Sequence, residues 1–195
     1  IANINDGSGG SVWRPGIVHR LDKDTSGIMV VARNMEAFLA LKEKFKKREV
    51  EKKYLAVVHG NLKSRSGKIE APIARAASFK KQKVAKGKIR GMTKEAITEY
   101  NVLKRFEKFD FVEVTPRTGR MHQIRVHFAH LGHPLVGDYK YGRKNMKNPD
   151  TLKRHFLHAK QIKFELLGKE YFLEVPLTLD FFQFFELLDY NEIKS

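Results

Sequence analysis

The chain has 195 residues and a formal charge of +16, from 38 Lys and Arg against 22 Asp and Glu. It has no cysteine, which excludes a disulfide framework and a thiolate zinc site, and no apolar stretch approaches the roughly 20 residues needed to cross a bilayer. The length can bury a sizeable core without staples; the absence of cysteine and of a charged-then-apolar leader suits a soluble protein of a reducing cytoplasm.

In chain order, the first residue is Ile1 rather than Met, and residues 6–11 read Asp-Gly-Ser-Gly-Gly-Ser. They have linker composition and lack the spacing and Lys-Ser/Thr ending of a phosphate loop. Residues 1–15 are therefore expected to be a linker or the remnant of a missing N-terminal region, with one domain over 16–195. Gly16 to Gly27 is a charged block holding His19, Arg20, Asp22 and the turn Thr25-Ser26-Gly27. The β-branched run Ile28 to Ala32 then predicts a buried strand that anchors the block. Asn34 can cap a helix running to about Arg48, with Met35, Phe38, Leu39 and Phe45 on one face. Tyr54 to Val58 predicts a strand ending at His59-Gly60.

From Ala71 to Lys94 there is no acidic residue, yet eight Lys and Arg fall inside, among them Arg75, Lys81, Lys83 and Lys94. With Gly87 and Gly91 this predicts a mobile basic segment able to follow a phosphate backbone. Together with the net charge, it points to a nucleic-acid partner. Strands are predicted over 96–103 and 109–115. A helix follows over 122–131, with Ile124, His127, Phe128 and Leu131 on one face and Gly132 as its stop. Residues 157–166 and 171–175 flank Gly168-Lys169 as a hairpin, and Phe181, Phe182, Phe185 and Leu188 stripe a closing helix. Strands and helices mix without regular alternation, so the predicted class is α+β.

The chemistry narrows by exclusion. His122, His127, His130 and His133 lie close together, but no carboxylate lies among them and Arg120 and Arg125 would repel a cation, so hydrogen bonds and phosphate contacts fit better than a metal. His19-Arg20-Leu21-Asp22 lacks the downstream Asn and metal-binding Asp of a kinase loop, and no Ser sits on a nucleophile elbow. Asp22 remains as a metal-free nucleophile or base. A desolvated carboxylate needs a cation to stay ionised, and Arg20 and Arg125 are the candidates; on the residues alone, a structural salt bridge is the favoured reading of such a pair.

His19-Arg-Leu-Asp-Lys-Asp-Thr-Ser-Gly27 resembles the signature His-Arg-Leu-Asp-x-x-Thr-Ser-Gly of the RluA-type pseudouridine synthases. Lys53-Tyr54-Leu55-Ala56 is similar to their second motif and Arg120 to His127 to their third. Gly132 to Asp138 and Phe156 to Ala159 continue the pattern in the family's order. The third motif usually has Thr where this chain has Met121. Many relatives also carry an S4-type RNA-binding module, which has no counterpart here. The resemblance implies a pseudouridine synthase fold: a mixed, mainly antiparallel sheet flanked by helices and loops, with the active-site cleft across it. It implies isomerisation of uridine in RNA, most often large-subunit ribosomal RNA with transfer RNA as the alternative, without cofactor, metal or membrane and by a monomer.

By resemblance, Asp22 is the catalytic aspartate, Tyr54 the tyrosine against the target base, and Arg125 the arginine that pairs with the aspartate. Ile124 lines the pocket, Arg20 fills the gap left by a flipped base, and Arg120 and His122 contact the RNA. The rivals are a non-catalytic RNA-binding module on the same fold and a metal-dependent nuclease.

Overall fold

The protein is seen here as a computed structural model, which describes residues 16–76, 81–85, 92–143, 146, 148, 152 and 154–194. The expected linker over 1–15 lies outside them, as do Gly87 and Gly91. In chain order the elements are β1 (Ser26–Gly27), α1 (Met35–Lys47), β2 (Glu51–His59), β3 (Ser66–Glu70), β4 (Ile73–Arg75), β5 (Gln82–Val84), β6 (Thr93–Lys94), β7 (Ile97–Arg105), β8 (Phe109–Pro116), α2 (Gln123–Leu131), β9 (Leu157–Leu166), β10 (Lys169–Glu174) and α3 (Leu179–Lys194). Seven strands form one sheet in the order β1-β9-β2-β8-β7-β3, with β10 also on β9; β5-β4-β6 form a small second sheet. Only β1 runs parallel to its neighbour. The architecture is the α+β mixed sheet that the sequence predicts.

Strand β2 is the spine. Ala56, Val57 and Val58 are fully buried because the strand is paired on both sides and covered on both faces. Its period of two divides the core. Ala56 and Val58 join Val112, Val114 and Phe128 under α2, while Val57 joins Phe156, Phe181 and Phe184 under α3. Helix α1 lays Phe38 and Leu41 on Ile162 and Phe164 of β9.

The caps follow the chemistry of the sequence. Asn34 accepts from the Ala37 amide at 2.8 Å and starts α1. Gly132, at φ 90°, ends α2. Leu167 and Gly168 turn β9 into β10 with φ of 52° and 74°, the paired positive values of a tight hairpin.

Four expectations are corrected. Residues 28–32 form no buried strand: the ladder ends after β1, a single bridge joins Ile17 to Val31, and Met29 and Val31 are 44% and 46% exposed. The segment lies at the sheet's margin, so alternate side chains face solvent. In α1 the buried face is Phe38 and Leu41, and Met35 and Leu39 point outward. In α3 Phe184 is buried where Phe182 was expected.

The fourth correction concerns the basic segment, where three short strands contain Arg75, Lys83 and Lys94. What orders them is α2. Val126 packs on Ile73 and Val84 of the small sheet and on Ala96 just after it, while Ile124 and Phe128 pack on the large one. A helix between two sheets is buried nearly all round, here with Gln123, Arg125 and His127 buried beside its apolar residues, which hid the second face from a one-face reading; Leu131, expected on that face, is 41% exposed.

Candidate active site

A cleft of about 670 Å³ opens between the charged loop 18–25, the ends of α1, β2 and β8, and the start of α2. Asp22, Tyr54, Arg125, Arg20, Ile124, Arg120 and His122, all seven residues singled out in the sequence, line it. Among the described residues, seven Lys and Arg side chains line it in all, against Asp22 as the single carboxylate.

The Asp22 loop is fixed from beneath. The Thr25 amide donates to the Asp22 carbonyl at 3.0 Å, closing a turn. Thr25 Oγ1 lies 2.9 Å from His155 Nε2, and Ser26 Oγ lies 2.9 Å from His158 Nδ1. The Thr-Ser pair thus reads two histidines that enter beside it with β9. Gly27 sits at φ 111°, and a Cβ there would run into the Ala159 backbone. At the other end of the loop His19 accepts from the Val30 amide at 2.9 Å and stacks on Phe45. Burial and then the Lys52 charge push His19 down to about 4, which keeps it the neutral acceptor that this bond requires. Burial, then Arg125, lowers His155 to about 4 as well.

Asp22 Oδ2 accepts from Arg125 Nη1 at 2.9 Å. The opposite edge of the same guanidinium donates twice to Asp138, at 2.7 Å and 2.8 Å, and the Tyr141 ring lies 5.2 Å from its central carbon. Side-chain exposure falls from 16% for Asp22 to 9% for Arg125 and none for Asp138. Burial disfavours the Arg125 charge, but Asp138 and then Asp22 outweigh it and hold the guanidinium above its ordinary value. Burial likewise opposes the Asp138 charge, and Arg125 reverses that, holding the carboxyl below 3.8. Two carboxylates thus share one guanidinium, the buried Asp138 taking two of its hydrogen bonds and Asp22 the third.

Tyr54 follows a bulge at which β9 has one extra residue opposite β2. Such a bulge re-aims the side chain beside it. Burial, then the Asp22 charge, pushes its hydroxyl up to about 12, so it is a neutral phenol near pH 7. His122 caps α2 in the left-handed region, at φ 57°. It places Nε2 3.9 Å from Asp22 Oδ1 and Nδ1 2.7 Å from the Tyr141 hydroxyl. Burial lowers its pKa despite Asp22 nearby. The same Tyr141 hydroxyl accepts from the Gln82 amide at 2.9 Å, joining the small sheet to the site.

Arg20 stands exposed at the rim, and Ile124 is buried in the wall. Arg120 is partly committed, with Nε donating to the Glu95 carbonyl at 2.9 Å. The structure brings Asp22 to Arg125 and leaves Arg20 outside the pair, which decides between the two cations that the sequence offered. The histidines have other work. His127 bonds Thr98 and the Ala71 carbonyl, and His133 bonds the His59 carbonyl. Among the described residues no three His, Asp or Glu side chains gather as metal ligands would, and no helix is long and apolar enough to cross a membrane. Sequence reasoning missed Asp138, Tyr141, His155 and His158 as parts of the site. Asp138 and His158 stand inside the last two motif stretches, the one signal that could have found them.

The match with known proteins agrees with this geometry. The family model described as RNA pseudouridylate synthase matches residues 4–130. An RNA pseudouridine synthase of Aquifex aeolicus is 48% identical over 145 residues, covering 73% of this chain and 45% of the relative. The ribosomal large subunit pseudouridine synthase D of Borreliella burgdorferi is 42% identical over 160 residues, covering 82% of this chain and 47% of the relative. The chain thus spans about half the length of these curated relatives. Among solved structures, human RNA pseudouridylate synthase domain containing 1 superposes with a TM-score of 0.75 at 28% identity, over 88% of this chain and 79% of that one. Motifs in register, a shared fold and a model matched over well over half the sequence lead to one statement: the chain belongs to the RNA pseudouridylate synthase family.

Proposed function

We propose that this protein converts uridine to pseudouridine in RNA, with Asp22 as the catalytic group. The observation that carries the reading is the Asp22–Arg125 pair at 2.9 Å in the wall of a basic cleft, with Tyr54 beside it. In the reaction the C1′–N1 glycosidic bond breaks, the uracil turns, and C5 bonds to C1′ while a proton passes from C5 to N1. No redox change is involved, so the chemistry asks for no cofactor. Asp22 acts either by attack on C1′ or by taking a ribose proton. Arg125 pairs with it and aims it. Tyr54, a neutral phenol, packs against the base, and Ile124 closes the pocket.

The target base must leave its helix or loop to reach Asp22. Unstacking costs a few kcal/mol, which phosphate contacts of the basic surface offset. Arg20, exposed beside the cleft mouth, fills the space the base vacates, and Arg120 and His122 contact the RNA at the opposite wall. Relatives bearing the name ribosomal large subunit pseudouridine synthase C or D favour large-subunit ribosomal RNA as the substrate.

The test is pseudouridine mapping by carbodiimide labelling and primer extension on ribosomal and transfer RNA. The wild-type protein should give a new stop. Asp22→Asn, which keeps the shape and removes the charge, should give none while binding RNA within about threefold of wild type. Ordinary turnover by Asp22→Asn would overturn the assignment.

A further inference from the structure

The cleft has a second end, and its chemistry is unlike the first. Strand β2 places Lys52 two residues before Tyr54, so both face the cleft about 7 Å apart along the strand. Lys53 between them faces away and pairs with Glu113 at 3.2 Å. Arg48, Arg117 and Arg120 line the same cleft, and each has a partner. Arg48 meets Glu95 at 3.1 Å, Arg117 meets Glu99 at 2.7 Å, and Arg120 donates to the Glu95 carbonyl at 2.9 Å.

Lys52 differs. Among the described residues no carboxylate or carbonyl lies within hydrogen-bond reach of its ammonium. The group sits 5.9 Å from the centre of the Phe45 ring, facing the open side of Gly119, where a Cβ would lie 3.8 Å away. A cation half-buried without an acceptor is unfavourable in the free protein. It is retained where a ligand supplies the missing charge.

We propose that Lys52 is the centre of a phosphate subsite that receives an RNA phosphodiester beside the nucleotide whose base occupies the Asp22 end. The subsite rests on the RNA reading above and deepens it. Among the described residues the only acidic side chain lining the cleft is Asp22, at the other end, so none of them along the walls here repels an anion. Arg48 and Arg117 are paired with Glu95 and Glu99 and Arg120 is committed through Nε, whereas among the described residues the Lys52 ammonium keeps all three donors free. Burial holds Lys52 below its ordinary 10.5; an arriving phosphate reverses that penalty, so the contact is stronger than one made by a surface lysine.

The test is binding of a fluorescein-labelled oligouridylate of about 16 nucleotides, the upper end of a single-strand site, measured over a range of salt. Lys52→Gln and Lys52→Met should each reduce the slope of log K against log salt by about 0.7, the share of one single-strand phosphate. Affinity at low salt should fall about tenfold. Lys52→Arg should keep the slope, and Lys53→Gln, the same charge change on the outer face, should leave it as in wild type. Thermal melting of Lys52→Met should equal or exceed wild type, since an unpartnered cation has been removed.

An unchanged slope in both neutral variants would overturn the subsite, as would an equal loss in Lys53→Gln. A lower melting temperature in both neutral variants would overturn it too, by showing that the ammonium serves the fold. Loss of the slope in a protein that makes no pseudouridine would uphold the subsite and sink the proposed reaction instead.

Discussion

Arg125 divides one guanidinium between two carboxylates of different exposure, and that division sets the properties of both. Asp138 is wholly buried, takes two hydrogen bonds from Arg125, and also accepts from the Lys140 and Tyr141 amides at 3.0 Å and 3.1 Å. It fixes the plane of the guanidinium, so the bond to Asp22 forms at one angle. Asp138→Asn should therefore lower kcat while Asp22 remains in place, and should destabilise the fold by about 3 kcal/mol, because a buried ion pair loses one partner. Urea denaturation and single-turnover kinetics read the two effects separately; an unchanged kcat would show that Arg125 aims itself. Asp22, Tyr54 and Arg125 were legible in the sequence because a motif in register names positions. The role of Asp138 was not, since nothing in spacing tells which of two carboxylates far apart in the chain shares an arginine.

At the scale of elements, placement depends on partners that a local pattern does not reveal. The strands over 54–58, 96–103 and 109–115 were readable from their own residues, as was the helix after Arg120. The run 28–32 misled because β-branched residues suit a margin that is half exposed as well as a buried strand. The small sheet was invisible because its strands have two or three residues each, and what holds them is Val126 on α2. The two-residue strand β1 shows how little pairing a site needs when backbones approach closely. Gly27→Ala should lower stability by at least about 2 kcal/mol, from the positive φ and the collision with Ala159. Its turnover should fall as Thr25 and Ser26 leave their histidines. Thermal melting and a primer-extension assay check this, and an alanine variant with wild-type melting would mean that β1 can move aside freely.

For the molecule as a whole, acid is the condition to which this design is exposed. His19 and His155 titrate at about 4 in the fold, against 6.5 when unperturbed. Between those values the unfolded chain binds more protons, so stability rises with pH there. The contribution from keeping both rings neutral is complete above about pH 6.5 and is lost as pH falls toward 4, at up to about 1.4 kcal/mol per pH unit for each ring. Asp138, held below 3.8, adds a loss of the same sign at lower pH still. Urea midpoints should be level above pH 7 and clearly lower at pH 5; a midpoint unchanged at pH 5 would mean that these histidines are accessible to solvent protons without unfolding.

The bonds from Thr25 and Ser26 to His155 and His158 join residues 130 and 132 positions apart. The motif that presents Asp22 is made well before the strand that fixes it, and so long a closure is slow to form. A nascent chain halted before β9 therefore holds the whole signature and none of its geometry. Under the proposed reaction, a chain in which β9 has not yet been made has no positioned Asp22 with which to modify RNA.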